Sequence, residues 1–129
     1  MTAIAGLELA ERYLDEVRAI LRQHVPDYEV WAYGSRVTGG AFEASDLDLV
    51  TRHPADLHQP CENLLDLRDA FVESNLPIRV DVMDWARIPD AFRREIERAH
   101  VVVQTAQREQ AARLDAAIAA NLKELGYGG

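Results

Sequence analysis

A chain of 129 residues, of which 48% are hydrophobic and 28% charged, has the size and composition of one globular domain with one core. Its net charge of −8 argues against direct nucleic-acid binding, because such binding depends on clusters of lysine and arginine. Cys61 is the single cysteine, which excludes an internal disulfide and favours a reducing compartment such as the cytoplasm. We expect neither a signal peptide, because the start lacks a basic segment, nor a membrane span, because no apolar run is long enough.

The first half of the chain predicts a helix and two strands. Apolar residues between positions 7 and 21 recur every three or four residues, which predicts an amphipathic helix that ends before Pro26. Residues 28–34 predict a buried strand, and the following SRVTGG predicts a tight turn or one short helical turn. Residues 46–51 alternate between polar and apolar with period two, which predicts a second strand.

The second half continues the alternation of helix and strand. We predict a helix from about residue 60 to 75, a strand at 78–85 and a helix that begins near Pro89. The apolar run HVVVQ is too short for its type to be assigned, and helical spacing returns over about residues 106–125. Interleaved helices and strands indicate a mixed α and β domain.

Three aspartates lie on the predicted strands. Side chains in a strand alternate between its two faces, so Asp46 and Asp48 point the same way, with Leu47 and Leu49 on the other face. Asp81 joins them if the second and third strands are neighbours. Two carboxylates about 4 Å apart repel by roughly 4 kcal/mol at an effective dielectric near 20, so the set needs bound protons or a cation. Short oxygen ligands of this kind suit Mg²⁺, which also takes phosphate oxygens.

A phosphate site is predicted upstream of these acids. Gly34 and Ser35 lie where a strand gives way to a turn, and backbone N–H groups and a hydroxyl there can hold phosphate. Taken alone, Gly-Ser is typical of a turn, and Asp-x-Asp is typical of a strand end with solvated carboxylates. Together they indicate metal-assisted phosphoryl or nucleotidyl transfer.

Other polar residues have simpler explanations. Asp84 alternates off the face of Asp81, which indicates a structural role. His53 and His58 lack the spacing of metal ligands, and Cys61 is expected in the core.

The segment GSRVTGGAFEASDLDL resembles the signature of the DNA polymerase β-like nucleotidyltransferase superfamily, in which Gly-Ser is followed after ten residues by Asp-x-Asp. RVDVMDW resembles the strand that carries the third carboxylate of that superfamily, and IPDAFRREIERAHVVVQ resembles the closing segment of its minimal nucleotidyltransferase (MNT) branch. The resemblance covers about residues 28–104. It implies a single α+β domain over residues 1–129, with a mixed β-sheet flanked by helices. Residues 28–104 would form the core of this domain, and a C-terminal helix would follow at about 106–125.

The resemblance also implies the roles of the site residues. Gly34 and Ser35 would bind the triphosphate of ATP or another nucleoside triphosphate. Asp46 and Asp48 would hold two Mg²⁺ ions, with Mn²⁺ as an alternative. Asp81 would hold the catalytic metal and help to activate the attacking hydroxyl.

The sequence departs from the MNT pattern at one position. Many members carry Arg-x-Arg-Gly after Gly-Ser, whereas here the run is Arg36-Val37-Thr38-Gly39. The charge of the triphosphate would therefore rest more on Arg36 and the metals, although a surface ion pair is an equally good explanation of Arg36. Ser45, just before the acids, is interpreted as a hydrogen-bonding residue of a turn.

Minimal members of this superfamily resemble the antitoxins of HEPN–MNT toxin–antitoxin pairs, some of which transfer AMP to a tyrosine of the toxin. The resemblance therefore implies transfer of NMP, with AMP the first choice, to a hydroxyl of a HEPN-type toxin, within a homo- or hetero-oligomer. About 25 residues follow the family segment, too few for an acceptor-binding domain, so we expect the partner to supply much of that pocket. The alternatives are a non-catalytic module that neutralises a toxin by contact and a small-molecule nucleotidyltransferase of the antibiotic-modifying type.

Overall fold

The computed structural model describes residues 5–40 and 45–106. The elements in chain order are α1 (Glu11–His24), β1 (Glu29–Tyr33), α2 (Ser35–Thr38), β2 (Leu47–Arg52), α3 (Leu64–Val72), β3 (Val80–Asp84), a 3₁₀ turn (Trp85–Arg87), α4 (Asp90–Arg98) and β4 (Val101–Gln104). The predicted α+β class is confirmed, SRVTGG supplies one short helical turn, and HVVVQ supplies a strand. The expected C-terminal helix lies, apart from its first residue, outside the described residues.

The strands form one mixed sheet in the order β3-β2-β1-β4. β1 is antiparallel to both β2 and β4, whereas β2 and β3 are parallel. The condition on which Asp81 could join Asp48, that the second and third predicted strands are neighbours, is therefore met.

One face of the sheet carries the main core. Leu14, Val17 and Leu21 repeat at helical spacing on α1 and are fully buried against it. Leu47 and Leu49 face them from β2, because alternate residues of a strand share a face. Burying each such side chain contributes about 1.5–3 kcal/mol, so this face fixes the register of β2.

The opposite face carries the remaining residues of the same strands. Trp31 and Val50 lie here in a second, smaller core with Trp85, Ile88 and Ile96. The alternation that places Leu47 and Leu49 in the main core places Asp48 on this second face, beside Val50. None of the helices that the structure describes is long and apolar enough to cross a membrane.

Candidate active site

Two aspartates meet at the beginning of the parallel strand pair. Asp48 is the second residue of β2 and Asp81 the second residue of β3, and they are direct partners across the ladder. Their Cα atoms therefore lie about 4.8 Å apart, the spacing of neighbouring strands. Both side chains are half-buried, whereas Asp46, just before β2, is exposed. The structure thus brings Asp48 and Asp81 together, with Asp46 exposed two residues before Asp48.

The electrostatic environment of Asp48 disfavours its charge. Burial raises the pKa of the Asp48 carboxyl, and the charges of Asp81 and Asp46 raise it further. The negative charges of Asp46 and Asp81 therefore repel that of Asp48. No described basic side chain forms an ion pair with Asp48 or Asp81. A cation or a proton would relieve this repulsion.

Gly34 lies directly against Asp48. Its φ of +84° is in the region that favours glycine, and a Cβ at this position would overlap the Asp48 carboxylate oxygen Oδ2. Glycine is therefore required here because it lets the backbone after β1 approach the acids. Ser35, the first residue of α2, is half-buried beside it.

A cavity of about 450 Å³ adjoins this turn. Gly34, Ser35 and Thr38 form one wall, and Phe92 and Ile96 of α4 contribute to the other. Backbone and hydroxyl groups beside an open cavity and a carboxylate pair are the parts that nucleotidyl transfer needs.

A comparison with protein families identifies the family of the chain. The model of the nucleotidyltransferase domain matches residues 14–111. The chain belongs to the nucleotidyltransferase domain family. The predicted family and enzyme class are thereby confirmed.

Relatives of known name agree with this assignment. The "probable protein adenylyltransferase MntA" of Haemophilus influenzae is 44% identical over 110 residues, which cover 84% of this chain and 93% of that protein. A crystal structure described as a toxin–antitoxin with AMP-PNP superposes with a TM-score of 0.58 at 16% identity, covering 87% of this chain and 97% of the other. An MntA–HepT toxin–antitoxin structure gives a TM-score of 0.55 at 14% identity, covering 90% and 98%. Both structures share the fold of this nucleotidyltransferase.

Arg36 has internal partners in this nucleotidyltransferase. Its side chain is buried, and the guanidinium donates to the carbonyl of Ser45 at 2.8 and 3.1 Å and to that of Glu8 at 2.7 Å. These bonds tie α2 to the loop before β2 and to the segment before α1, and the group of Ser45 that accepts them is its backbone carbonyl. The expected contact of Arg36 with triphosphate stays a prediction that these bonds do not favour.

Sequence reasoning missed Tyr33. It is the partner of Asp48 on β1, opposite the side that Asp81 occupies, and its ring packs edge-to-face on Phe92 with centroids 5.6 Å apart. Burial raises the pKa of the Tyr33 phenol well above its usual range, and the charges of Asp48 and Asp81 add to the effect. Tyr33 therefore stays protonated at the edge of the acid pair. In the sequence, the only indication of a role for Tyr33 was its position immediately before Gly34. The register of β1 on β2 shows that Tyr33 lies beside Asp48.

The residues set aside in the sequence have structural roles. Asp84 is buried, accepts hydrogen bonds from the backbone N–H groups of Cys61 at 2.9 Å and Ala86 at 3.3 Å, and lies 3.4 Å from the Arg87 Nε. Cys61 is buried in the main core, as expected. The Nδ1 atom of His53 accepts from two backbone N–H groups of its own loop.

The donor set fits a hard divalent cation by its chemistry. Asp48 and Asp81 offer carboxylate oxygens on adjacent strands, and Asp46 lies two residues upstream of Asp48. Within residues 5–40 and 45–106 no three acidic, histidine or cysteine side chains are already arranged as a metal site. Because carboxylates of like charge repel one another when no cation lies between them, these side chains need not be assembled as a metal site before the cation binds.

Proposed function

We propose that this nucleotidyltransferase moves AMP from ATP to a hydroxyl of a partner protein and acts as the antitoxin of a HEPN-type toxin. The observation that carries the proposal is the pairing of Asp48 with Asp81, with the Gly34 backbone against Asp48. The name of the 44% identical relative supports the adenylyl group and the protein acceptor. The toxin–antitoxin structures of the same fold support the kind of partner.

Each residue has a place in the reaction. Gly34 and Ser35 hold the triphosphate, and Asp46, Asp48 and Asp81 hold Mg²⁺ or Mn²⁺. The bound metal supplies charge neutralisation and lowers the pKa of the acceptor hydroxyl.

The chain's own groups position the reactants and take the proton. The acceptor oxygen forms a bond to the α-phosphorus, the bond from that phosphorus to the bridging oxygen breaks, and pyrophosphate leaves. Asp81, at the edge of the sheet, receives the acceptor proton. Tyr33, which stays protonated, offers a hydrogen-bond donor rather than a second negative charge beside the phosphates. Catalysis rests on position and charge, without a covalent enzyme intermediate.

The decisive experiment uses a HEPN-type toxin as the partner protein. The two purified proteins are incubated with ATP and Mg²⁺, and the intact mass of the partner is measured with release of pyrophosphate. The expected result is a mass increase of one or more AMP units on the partner, which disappears on addition of a chelator. If the partner binds and no nucleoside triphosphate gives a mass increase, the chain neutralises by contact alone and the proposal is wrong.

A further inference from the structure

A groove runs between α3 and the outer edge of β3. β3 is the last strand of the sheet and pairs with β2 alone among the described strands. Two cavities lie along this edge, of about 420 and 360 Å³, and Arg68 of α3 lines both. Leu65 and Met83 line the first, and Val72 and Asp81 line the second. We call this surface the α3–β3 groove; Asp81, the proposed proton acceptor, is one of the residues that line it.

The wall of the groove that α3 forms exposes apolar side chains to solvent, whereas the solvent-facing side of a surface helix is normally polar. Leu65 and Val72 are 73% and 82% exposed, and their spacing of seven residues puts them on one stripe of α3. Exposed apolar side chains beside a cavity are typical of a protein-binding surface. Acidic side chains flank this stripe on the side away from Arg68, are exposed, and make no ion pair with another described residue: Glu62, Asp66, Asp69 and Glu73.

The order of the strands fixes the side from which the acceptor arrives. In the proposed reaction the triphosphate lies at Gly34 and Ser35, at the end of β1, and Asp48 on β2 separates it from Asp81 on β3. In-line displacement requires the attacking oxygen to approach opposite the leaving pyrophosphate. The acceptor hydroxyl therefore enters over β3, at the end of the groove that Asp81 lines.

From these observations, and resting on the proposed function, we propose that the α3–β3 groove docks the segment of the partner protein that carries the acceptor hydroxyl. The matching segment has apolar side chains for Leu65 and Val72 and basic side chains for the acids beside them, which also suits the net charge of −8. It does not add to the sheet as a strand. The Arg68 guanidinium already donates to the outward carbonyl of Val82 at 2.7 and 3.0 Å, which blocks strand pairing at the centre of the edge.

The test is the double variant Leu65→Asp/Val72→Asp. Both side chains are mostly exposed, so the fold and the thermal midpoint are expected to stay as in the wild type. The affinity for the HEPN-type protein should fall at least about tenfold, and the KM for that protein should rise by the same factor while the saturating rate is kept. Affinity of the free chain for ATP with Mg²⁺, measured by calorimetry, should not change. Leu57→Asp is the matched control, since Leu57 is an exposed apolar residue outside the groove.

A second variant tests the charge match. Asp69→Asn/Glu73→Gln should weaken partner binding several-fold at low salt and reduce its dependence on salt concentration. Wild-type affinity and KM for the partner in Leu65→Asp/Val72→Asp would overturn the proposal. Two other results, each with unchanged partner affinity, would also overturn the proposal. A loss of self-association would assign the groove to a second copy of the chain, and a loss of thermal stability would assign it to the chain's own residues. Since partner affinity is measured separately from transfer, the groove is tested even if the wild type transfers nothing.

Discussion

The second face of the sheet has two ends that solve the same electrostatic problem differently. At the aromatic end, Arg52 donates to Glu29 at 2.6 Å and lies 3.8 Å over the ring of Trp31, which itself donates to Glu29 at 2.9 Å. At the acid end, Asp48 and Asp81 are neighbours without a basic partner among the described residues. The same strands, β1 and β2, form both ends. The aromatic end pairs opposite charges within the chain and stabilises the fold, although the Nε atom of Arg52 is buried without a hydrogen-bond partner among the described residues. The acid end leaves a repulsion that a bound ligand would relieve.

The largest effect is expected from the acid end. Asp48→Asn and Asp81→Asn should each lower AMP transfer at least about 10²-fold, because each removes a charge that the reaction uses. Stability should not fall with activity. For Asp48→Asn the free energy of unfolding should be equal or higher near neutral pH, because the amide removes a charge that burial and Asp81 disfavour. Transfer is measured by intact mass, and stability by urea denaturation.

Asp84→Asn is the control for this separation of activity from stability. Asp84 is also a β3 carboxylate, but it is buried on the other face and accepts from the Cys61 backbone N–H. Its replacement should cost about 1–3 kcal/mol of stability and leave most of the transfer per folded molecule. An Asp48→Asn variant that is as unstable as Asp84→Asn, or that still transfers AMP at the wild-type rate, would contradict the distinction.

At the aromatic end the expected effect is on stability. Arg52→Met should lower the free energy of unfolding by about 2–3 kcal/mol, because Glu29 loses its partner in a mostly buried setting and Trp31 loses a cation. Arg98→Met is the matched control: its ion pair with Glu95 is about 70% exposed on both sides and should contribute less than about 0.5 kcal/mol. Equal losses in urea denaturation would show that the aromatic end does not stabilise the fold in this way.

Local patterns in the sequence were enough to predict the part of the acid end that Asp48 and Gly34 form, whereas the pairing of Asp81 with Asp48 depended on whether β2 and β3 are neighbours. The period of two on β2 places Asp48 opposite the core leucines, and a Gly-Ser pair at a strand end predicts a close turn, which Gly34 makes against Asp48. These two features can be recognised in the sequence because the residues that form each of them lie close together along the chain. The roles of Gly34, Ser35, Asp46, Asp48 and Asp81 in binding all stay predictions.

The remaining features depend on register between distant segments. Glu29 and Arg52 are 23 positions apart, and nothing in either segment indicates that they pair. Tyr33 faces Asp48 for the same reason. The MNT pattern offered a triphosphate contact or a surface ion pair for Arg36, but the carbonyl groups of Ser45 and Glu8, to which it donates, come within reach only after folding. Side-chain destinations of this kind follow from tertiary packing, which a local pattern does not encode.

Adding a single methyl group at position 34 tests whether the contact with Asp48 is the reason for glycine there. Gly34→Ala should abolish most AMP transfer and destabilise the chain, since the added Cβ overlaps the Asp48 carboxylate at an unfavourable φ. Gly40→Ala is the control, because Gly40 has nearly the same φ of +83° but no atom of the described residues within 4 Å of the added Cβ. Its cost should be about 1 kcal/mol, with transfer retained. If the two variants lose the same stability and the same activity, contact with Asp48 is not the reason for glycine at position 34.

The smallest effect is expected on the pH dependence of stability in the absence of divalent metal. This measurement is also the most direct probe of the repulsion around Asp48. The pKa of Asp48 is raised above its ordinary value of 3.8, so the folded chain holds this proton more tightly than the unfolded chain. Its favourable contribution is therefore fully present below 3.8 and is lost as the pH rises through the raised folded pKa.

Urea denaturation in a chelator, from about pH 3 to about pH 7, should show the wild type losing stability relative to Asp48→Asn as the pH rises. Added Mg²⁺ and ATP at about pH 7 should then restore the wild type and leave the variant little changed, because a ligand that binds only the folded state stabilises it. If the difference between wild type and variant is independent of pH, or has the opposite slope, the acid end does not carry the repulsion that distinguishes it from the aromatic end.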